Sequence, residues 1–436
     1  MDVRIGQARL SGTVPAVASK SVAHRMLICA ALCDGPTEIA CNTTSADIAA
    51  TVRCLASLGA RITPEDGRGF SVRPRSGEPG HPVATLDCGE SGSTLRFLLP
   101  VVCALGCGGS LVGHGRLAER PLSPLYEQLL EHGCSLSPQG AFPLEVSGKL
   151  SGGTFVLPGD VSSQYVTGLL LAAPLLDEPT EILVAEPVQS APYIALTIGA
   201  LESFGITVNV SRTEREGLPH LRYRVDPTQG RLSSPGSCTV EGDWSNAAFW
   251  LAADALGSDI AVSGLEETSA QGDRAILSVL ESFGATTAKA GGKMVVNAES
   301  LHGADIDVAD IPDLVPPLAA VAAAASGTTH LTNAGRLRLK ESDRLATVTA
   351  SLRAFGVDAR VIGDDIHIVG GAPLHGATVD AANDHRIAML ASILATRAAG
   401  TTTVLGADCV GKSYPAFYQD FSALGGDVRP AADGSV

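Results

Sequence analysis

The hydrophobic pattern repeats along the chain: six times, an apolar helix-like stretch ends near a glycine and an extended stretch follows. Glycine adopts the left-handed conformation at a helix C-terminus without strain, so each copy predicts the end of a helix. Successive copies are 74, 72, 79, 72 and 69 residues apart. The six glycines are Gly59, Gly133, Gly205, Gly284, Gly356 and Gly425. The pattern predicts six similar units, and chance recurrence of a common helix–strand junction is the alternative.

Each predicted unit contains two helix-like stretches with a β-like stretch between them. The stretch before the glycine is illustrated by Asp47–Leu58, Leu125–His132, Ile194–Phe204 and Arg274–Phe283. An earlier, more apolar stretch covers Val22–Leu32, Thr94–Leu105, Tyr165–Leu176, Ala247–Leu256, Leu314–Ala325 and Ile387–Ala398. One unit cannot bury both of its apolar helices, so we expect the units to pack around the earlier set.

The repeat also predicts how the chain divides into domains. A stretch rich in Pro, Gly and Ser, Ser233–Ser237, separates the third unit from the fourth and has the composition of a linker. Residues 1–19 contain an extended start without a helix, and they can return to pair with the second half. We therefore expect an inserted domain of residues 20–237 and a discontinuous domain of residues 1–19 and 238–436.

Composition narrows the class of protein. Hydrophobic residues make up 45% and charged residues 18% of the 436 residues, which excludes a mainly disordered chain. The formal net charge of −15 argues against binding nucleic acid by bulk charge, although clustered cations would still bind small anions. The ten cysteines form no C-x-x-C pair and most lie in apolar runs, which favours free thiols over metal ligands or disulfides. Without a signal peptide or a long apolar segment, the sequence predicts a cytoplasmic protein that does not enter membranes.

Cations, hydroxyls and carboxylates concentrate at the predicted starts of the helices. Free N–H groups and the positive end of the helix dipole favour anions at these positions. The groups are Lys20-Ser21-x-x-x-Arg25, Gly92-Ser93-x-x-Arg96, Arg120-Pro121, Ser162-Ser163-Gln164, Ser190, Asp313, Lys340–Arg344, Asn383–Arg386 and Lys412-Ser413. Each alone is consistent with an ordinary helix cap, but together they predict an anion-binding surface.

One of these groups fits a nucleotide-binding pattern by coincidence. Residues 406–413 match G-x-x-x-x-G-K-[ST] after a strand-like run. A nucleotide-binding domain needs further strands after that loop, and only 23 residues follow Ser413. We therefore do not expect a nucleoside triphosphate site here.

The motifs at the helix starts resemble the 5-enolpyruvylshikimate-3-phosphate (EPSP) synthase family of enolpyruvyl transferases over essentially the whole chain. The fold implied by this resemblance is α/β, with two similar domains, each of three βαβαββ-type units around buried parallel helices, and an active site in the cleft between them. The implied reaction transfers the enolpyruvyl group of phosphoenolpyruvate to the 5-hydroxyl of 3-phosphoshikimate. It proceeds by addition to a tetrahedral phospho-ketal and elimination of phosphate. The resemblance implies no metal or organic cofactor, two small anionic substrates as the only partners, a monomer, and glyphosate as an inhibitor competing for the phosphoenolpyruvate pocket.

The resemblance also implies a role for each matching residue. It makes Asp313 the proton acceptor, Glu341 the proton donor and Lys20 a third catalytic residue. The residues implied to bind 3-phosphoshikimate are Lys20, Ser21, Arg25, Ser162, Ser163, Gln164, Ser190, Asp313 and Lys340. Those implied to bind phosphoenolpyruvate are Lys20, Gly92, Arg120, Gln164, Arg344, Arg386 and Lys412. For Glu341 the alternative is a helix-start carboxylate that only pairs with Arg344 three residues on.

The chain departs from the common family pattern at a few of these positions. Arg336 stands where many relatives have Asn, and it is therefore left out of the predicted set. Glu90-Ser91 replaces Asn-Ala, Ser93 replaces Thr and Phe97 replaces Pro, all close to Gly92.

Two other functions fit parts of the pattern. A related enzyme transfers enolpyruvyl to UDP-N-acetylglucosamine with a Cys in the loop before an Arg-Pro pair, but Val112–Arg120 contains no Cys. A ring clamp around DNA also uses six αβ units, yet it needs cations along helix faces rather than at helix starts. Phosphate release from phosphoenolpyruvate distinguishes an enzyme from a clamp, which instead predicts salt-sensitive retention of DNA.

Overall fold

The computed structural model describes residues 1–65, 67–75 and 84–431. Its internal contacts divide the chain into two compact units. The split unit consists of Met1–Val17 and Glu241–Val436, and the inserted unit is Ala18–Val240. Each unit is built from helices and four-stranded sheets whose bounds follow.

In the inserted unit the helices are α1 (Lys20–Leu32), α2 (Ala46–Ser57), α3 (Gly92–Leu105), α4 (Leu125–Glu131), α5 (Ser163–Ala172) and α6 (Ala191–Ser203). The strands are β3 (Thr37–Ala40), β4 (Arg61–Glu65), β5 (Gly69–Arg73), β6 (Ala84–Asp87), β7 (Gly109–Val112), β8 (Cys134–Leu136), β9 (Leu144–Gly148), β10 (Gly153–Leu157), β11 (Thr180–Ala185), β12 (Asn209–Arg215), β13 (Leu218–Val225) and β14 (Ser237–Thr239).

In the split unit the helices are α7 (Trp244–Ala255), α8 (Ile276–Ser282), α9 (Val315–Ala324), α10 (Arg344–Ala354), α11 (His385–Ala395) and α12 (Phe417–Ala423). The strands are β1 (Val3–Ile5), β2 (Ser11–Pro15), β15 (Asp259–Ser263), β16 (Thr286–Ala290), β17 (Lys293–Asn297), β18 (Asp305–Asp307), β19 (Gly327–Thr332), β20 (Asp358–Ile362), β21 (Asp365–Gly370), β22 (Thr378–Asp380), β23 (Thr402–Leu405) and β24 (Val428–Pro430).

The sheets of the described chain share one topology. In the inserted unit the strand orders are β14-β3-β5-β4, β6-β7-β9-β8 and β10-β11-β13-β12. In the split unit they are β2-β15-β17-β16, β18-β19-β21-β20 and β22-β23-β1-β24. In every sheet the first pair is parallel and the other two pairs are antiparallel. This sixfold recurrence confirms the α/β class and the repeated units predicted from the sequence.

The repeated glycine ends a helix in each copy. Helices α2, α4, α6, α8, α10 and α12 all stop two residues before it. The six glycines have φ angles between +81° and +98°, which confirms the predicted left-handed position. The extended run after each glycine then forms an edge strand of the four-stranded sheet in the same repeat.

The more apolar helices form the cores, but some of their ends differ from the sequence prediction. Helices α7 and α11 are buried along their whole lengths, as expected for helices that are apolar on nearly every face. Most of these helices begin two or three residues earlier than predicted, because they start directly after a polar capping residue such as Ser162. The predicted helix Tyr165–Leu176 stops at Ala172 and continues as a 3₁₀ turn containing Pro174, whose ring nitrogen cannot donate.

Burial of whole helices also determines where polar groups meet. Helices α3, α5, α9 and α11 follow the edge strands β6, β10, β18 and β22, respectively. The first residues of α11, His385 and Arg386, are therefore buried together with the rest of the helix. A buried charge at such a place needs partners, so polar groups concentrate at these helix starts.

Candidate active site

The first group of predicted residues in the inserted unit lies at the start of α1. Lys20 Nζ is 3.0 Å from Asp47 Oδ2 at the start of α2, and both side chains are largely buried. Arg25, one turn into the helix, is 2% exposed and donates from Nη1 to the backbone oxygen of Ser21 at 2.5 Å. Burial lowers the pKa of Arg25 to about 9, which keeps the guanidinium charged at neutral pH.

A second group surrounds the start of α3. Ser91 caps the helix by accepting from the backbone N–H of Thr94 at 3.2 Å. Gly92 follows, and a Cβ atom built there would lie 2.5 Å from Arg120 Nη1 and 2.7 Å from its Cζ. The missing side chain therefore lets the Arg120 guanidinium lie against the backbone of α3. Arg120 Nε is buried and has no acceptor in the described protein, so it can serve an anion.

The third group is at the starts of α5 and α6. Ser162 caps α5 by accepting from the backbone N–H of Gln164, and Ser163 is the first residue of that helix. The Gln164 side chain joins two elements, because Oε1 accepts from Arg96 Nη1 at 2.8 Å and Nε2 donates to Ser93 Oγ at 3.1 Å. Ser190 precedes α6 with a φ of +57°, an unusual backbone for a residue other than glycine.

The predicted residues of the split unit converge on Asp313, in a short turn before α9. Its Oδ1 is 3.2 Å from Lys340 Nζ and 2.8 Å from Arg344 Nη1. Arg386 donates from Nη1 to the backbone oxygen of Asp313 at 3.0 Å and approaches Oδ2 at 3.3 Å. Glu341 Oε2 accepts from Arg344 Nη2 at 2.7 Å. The two proposed proton-transfer carboxylates are thus held by one guanidinium.

Arg344 is held in turn by a carboxylate that the sequence prediction missed. Asp384 is fully buried and accepts from Arg344 Nε at 2.8 Å and from Nη2 at 3.1 Å. The same carboxylate caps α11 by accepting from the backbone N–H of Arg386 at 3.0 Å. Asp384 stood in the Asn383–Arg386 motif, but only its contact with α10 shows that it orients Arg344. The signal available from the sequence was an Asp directly before an apolar helix.

Burial and neighbouring charges both shift the pKa values of these groups. Burial lowers the pKa of Lys340, with the charges of Arg344 and Arg336 adding to this effect and Asp313 opposing it. For Arg344 burial also favours the neutral form, but Asp384, Glu341 and Asp313 outweigh it and raise the pKa. Burial would raise the pKa of Asp384, but the charge and hydrogen bond of Arg344 together with the charge of His385 lower it. Arg336, omitted from the predicted set, is thus close enough to Lys340 to lower its pKa.

Lys412 and Arg386 complete the group. Lys412 Nζ donates to the backbone oxygen of Asn383 at 2.7 Å, which brings the end of the 3₁₀ helix Ala407–Lys412 to the start of α11. Residues 406–413, which match the sequence pattern of a nucleotide-binding loop, therefore contain a 3₁₀ helix and do not form a phosphate-binding loop. Arg386 Nη2 contacts Ser245 Oγ at the start of α7, while its Nε is buried without a protein acceptor in the described residues. The predicted cations Lys340, Arg344, Arg386 and Lys412 thus lie near three carboxylates, Asp313, Glu341 and Asp384.

The described residues show neither a metal-binding cluster nor a membrane-spanning helix. Within residues 1–65, 67–75 and 84–431, no group of three or more His, Cys, Asp or Glu side chains is arranged to hold a metal ion. All ten cysteines are free thiols. None of the helices in the described parts of the chain combines the length and apolar character of a membrane span.

A buried histidine lies beside the first group. His24 is fully buried in α1, and its Nδ1 is 2.7 Å from Thr51 Oγ1. Burial lowers the pKa of His24 well below 6.5, and the charges of Lys20 and Arg25 lower it further. In the unfolded chain this imidazole titrates near 6.5, so below that pH the unfolded state binds a proton that the folded state does not. We expect His24 to lower the unfolding free energy of the inserted unit by about 1.4 kcal/mol per pH unit below 6.5.

The measurement uses the thiols, because nine of the ten cysteines lie in the inserted unit. Their labelling by 4,4′-dithiodipyridine during urea unfolding, normalised to the unfolded chain at each pH, gives the stability of that unit between pH 5 and 7.5. His24→Met should flatten the pH dependence, whereas a matched change at exposed His114, to Met, should leave it as in the wild type. Equal slopes in the wild type and His24→Met would contradict the neutral state of His24.

Nearly the whole chain is similar to known proteins. The family model of EPSP synthase (3-phosphoshikimate 1-carboxyvinyltransferase) matches residues 5–421. A 3-phosphoshikimate 1-carboxyvinyltransferase of Clostridium kluyveri is 39% identical over 432 residues, which cover 98% of each chain. One of Methanocorpusculum labreanum is 36% identical over 431 residues, covering 98% of this chain and 100% of the relative. Among solved structures, an EPSP synthase of Acinetobacter baumannii has a TM-score of 0.77 at 24% identity and covers 98% of this chain and 100% of its own, which shows a shared fold.

Proposed function

Because the chain belongs to the EPSP synthase family, we propose that the residues at its helix starts bind the two anionic substrates of that enzyme. The chain is a transferase of the shikimate pathway: it transfers the enolpyruvyl group of phosphoenolpyruvate to the 5-hydroxyl of 3-phosphoshikimate and releases phosphate. Transfer to UDP-N-acetylglucosamine and a ring clamp on DNA are not favoured by the family match. The assignment of individual residues is the part that we propose.

The observation that carries the proposal is the network around Arg344. One guanidinium holds Asp313 and Glu341 at 2.8 and 2.7 Å, and the buried Asp384 fixes its orientation. The addition step needs a base for the 5-hydroxyl and an acid for the methylene carbon of phosphoenolpyruvate. We assign Asp313 as the base and Glu341 as the acid. Glu341 then takes the proton back from the new methyl group as the C–O bond to phosphate breaks, and the proton that Asp313 took from the 5-hydroxyl leaves with the phosphate, which restores both carboxyl groups.

The cations have a second role, which is to stabilise negative charge. Phosphoenolpyruvate and 3-phosphoshikimate together bring two phosphates and two carboxylates. We propose that phosphoenolpyruvate is bound by Lys20, Gly92, Arg120, Gln164, Arg344, Arg386 and Lys412. We propose that 3-phosphoshikimate is bound by Lys20, Ser21, Arg25, Ser162, Ser163, Gln164, Ser190, Asp313 and Lys340. The buried Nε atoms of Arg120 and Arg386, which have no protein acceptor among the described residues, support an anionic ligand in each unit.

Phosphate release tests the reaction directly. We expect release from phosphoenolpyruvate only when 3-phosphoshikimate is also present, with one phosphate per enolpyruvyl group transferred. Omitting either substrate in turn, and replacing 3-phosphoshikimate with UDP-N-acetylglucosamine, provide the controls. Release from phosphoenolpyruvate alone, or transfer to the nucleotide sugar, would contradict the assigned acceptor.

The position of Gly92 leads to a prediction about the phosphoenolpyruvate pocket. A methyl group there would be 2.5 Å from Arg120 Nη1, so Gly92→Ala must displace the guanidinium. We expect a KM for phosphoenolpyruvate raised by about 10-fold or more, since small misplacements of a binding group are costly. Glyphosate competes for this pocket in the family, and its inhibition constant should rise by a larger factor than the KM for phosphoenolpyruvate. The KM for 3-phosphoshikimate should change less than twofold.

The matched control is Gly199→Ala, in α6 of the same unit, where an added Cβ would meet no atom within 4 Å. Steady-state kinetics with each substrate varied, and inhibition curves for glyphosate, compare the two variants with the wild type. Unchanged phosphoenolpyruvate kinetics in Gly92→Ala would remove Gly92 and Arg120 from the pocket.

We further propose that the enzyme works as a monomer in the cytoplasm. Ten free thiols suit a reducing compartment. Light scattering coupled to size-exclusion chromatography should give a mass near that of one chain, 44.5 kDa. A mass of two chains or more would contradict the monomer.

A further inference from the structure

The guanidinium of Arg25 is almost fully engaged by the protein around it. Nε donates to Thr197 Oγ1 at 2.8 Å, and Nη2 donates to Thr167 Oγ1 at 3.2 Å and to the backbone oxygen of Tyr193 at 2.8 Å. With the bond from Nη1 to Ser21, four of its five N–H groups are donated. Only one N–H, on Nη1, remains for a ligand, so the orientation of the group decides where that donor points.

The charge of Arg25 is buried without being neutralised. Its side chain is 2% exposed, and its partners are hydroxyl and carbonyl oxygens. Among the described residues, the hydrogen-bond partners of this guanidinium include no carboxylate. A buried cation surrounded by neutral dipoles keeps its full attraction for an incoming anion. Such a group is suited to a substrate carboxylate or phosphate.

The guanidinium of Arg25 lies over an aromatic ring. Arg25 Cζ is 4.9 Å from the centroid of Phe97 in α3, and Phe97 is 2% exposed. The His24 ring stands at 89° to the Phe97 ring with the centroids 6.2 Å apart, and His24 is itself bonded to Thr51. Three side chains from α1 and α3 are therefore packed against one another, with Phe97 in contact with both His24 and Arg25. A cation over a ring face is stabilised most when both are removed from water.

We propose that Phe97 is a positioning residue for 3-phosphoshikimate, acting through its ring face on Arg25. The ring holds the guanidinium plane so that the remaining Nη1 donor and the uncompensated charge meet the substrate in one orientation. The Pro that many relatives have at this position cannot provide a ring face. This inference rests on the proposed role of Arg25 in binding 3-phosphoshikimate, and it adds a residue that does not itself touch the substrate.

Fluorination of the ring tests the electrostatic part of this proposal. Fluorine withdraws electron density from the ring face while changing the size of the side chain very little. We therefore replace Phe97 with 4-fluoro-, 3,5-difluoro- and 3,4,5-trifluorophenylalanine in the full-length enzyme. The KM for 3-phosphoshikimate should rise steadily along the series, by about 5- to 30-fold at its end. The kcat and the KM for phosphoenolpyruvate should stay within about twofold.

The same series at Phe155 is the control, because this ring is equally buried in the inserted unit but stacks on His132 and not on an arginine. A flat KM series at Phe97 would overturn the proposal, as would parallel changes in kcat and in both KM values.

Phe97→Leu and Phe97→Tyr repeat the test with ordinary residues. Leu should raise the KM for 3-phosphoshikimate, and Tyr should keep it close to that of the wild type. If the unsubstituted enzyme released no phosphate, the proposed function would fail, which is a result distinct from a flat series in an active enzyme.

Discussion

Asp313→Asn and Glu341→Gln should each lower the turnover number by about 10²-fold or more, the usual effect of losing a general base or acid. Both variants keep the size of the side chain, and an amide cannot exchange a proton as a carboxylate does. Asp313→Asn removes the charge that faces Lys340 and Arg344, so a moderate change in the KM for 3-phosphoshikimate should accompany the loss of turnover. Glu341→Gln should leave both KM values nearly unchanged.

The comparison needs carboxylates of the same unit that lie outside the network. Asp305→Asn and Glu281→Gln serve this purpose, because both side chains are exposed and neither contacts Arg344. Phosphate release under saturating substrates gives kcat, and circular dichroism verifies that each variant is folded. Turnover close to that of the wild type in Asp313→Asn or Glu341→Gln would remove that residue from proton transfer. For Glu341 it would favour the simple pairing with Arg344.

Arg344→Met should destabilise the split unit by about 3–5 kcal/mol, because it removes one partner of a buried ion pair. Asp384 is fully buried, and Arg344 supplies both of the guanidinium bonds to its carboxylate. The variant removes both guanidinium bonds and leaves the neutral donors Ser342 Oγ and the backbone N–H of Arg386, so burial should raise the pKa of Asp384 above its unfolded value. Acid should therefore narrow the difference in stability between wild type and variant as the pH falls from 7 towards 3.8.

Tryptophan fluorescence during urea unfolding measures this loss, because Trp244 and Trp250 both lie in α7 of the split unit. The control is Arg338→Met, whose ion pairs with Asp343 and Asp364 are partly exposed and long, at 3.9 and 3.4 Å. That change should cost less than about 1 kcal/mol. Similar losses in the two variants, or a difference independent of pH, would contradict a structural role for the Arg344–Asp384 pair.

Local rules predicted the elements of this fold, because the deciding signals lie close together in sequence. The glycine at each helix end is a signal carried by one residue, because glycine adopts a positive φ without strain. The apolar helices are recognised by composition alone. The helix starts were visible for the same reason, since capping residues lie beside the helices that they cap. The predicted helix boundaries were less accurate where a capping residue or a proline, such as Pro174, shifted the first or last residue of the helix.

The sequence by itself determined the repeat, the α/β class and, through its family motifs, which polar side chains stand at helix starts. Only the tertiary structure decided which of those side chains meet, because their partners are far apart in the chain. Gly92 faces Arg120 across 28 residues, Arg344 is oriented by Asp384 across 40, and Arg25 lies over the Phe97 ring across 72. Local patterns carry no information on such pairs, since burial and direction at these sites depend on how separate helices pack.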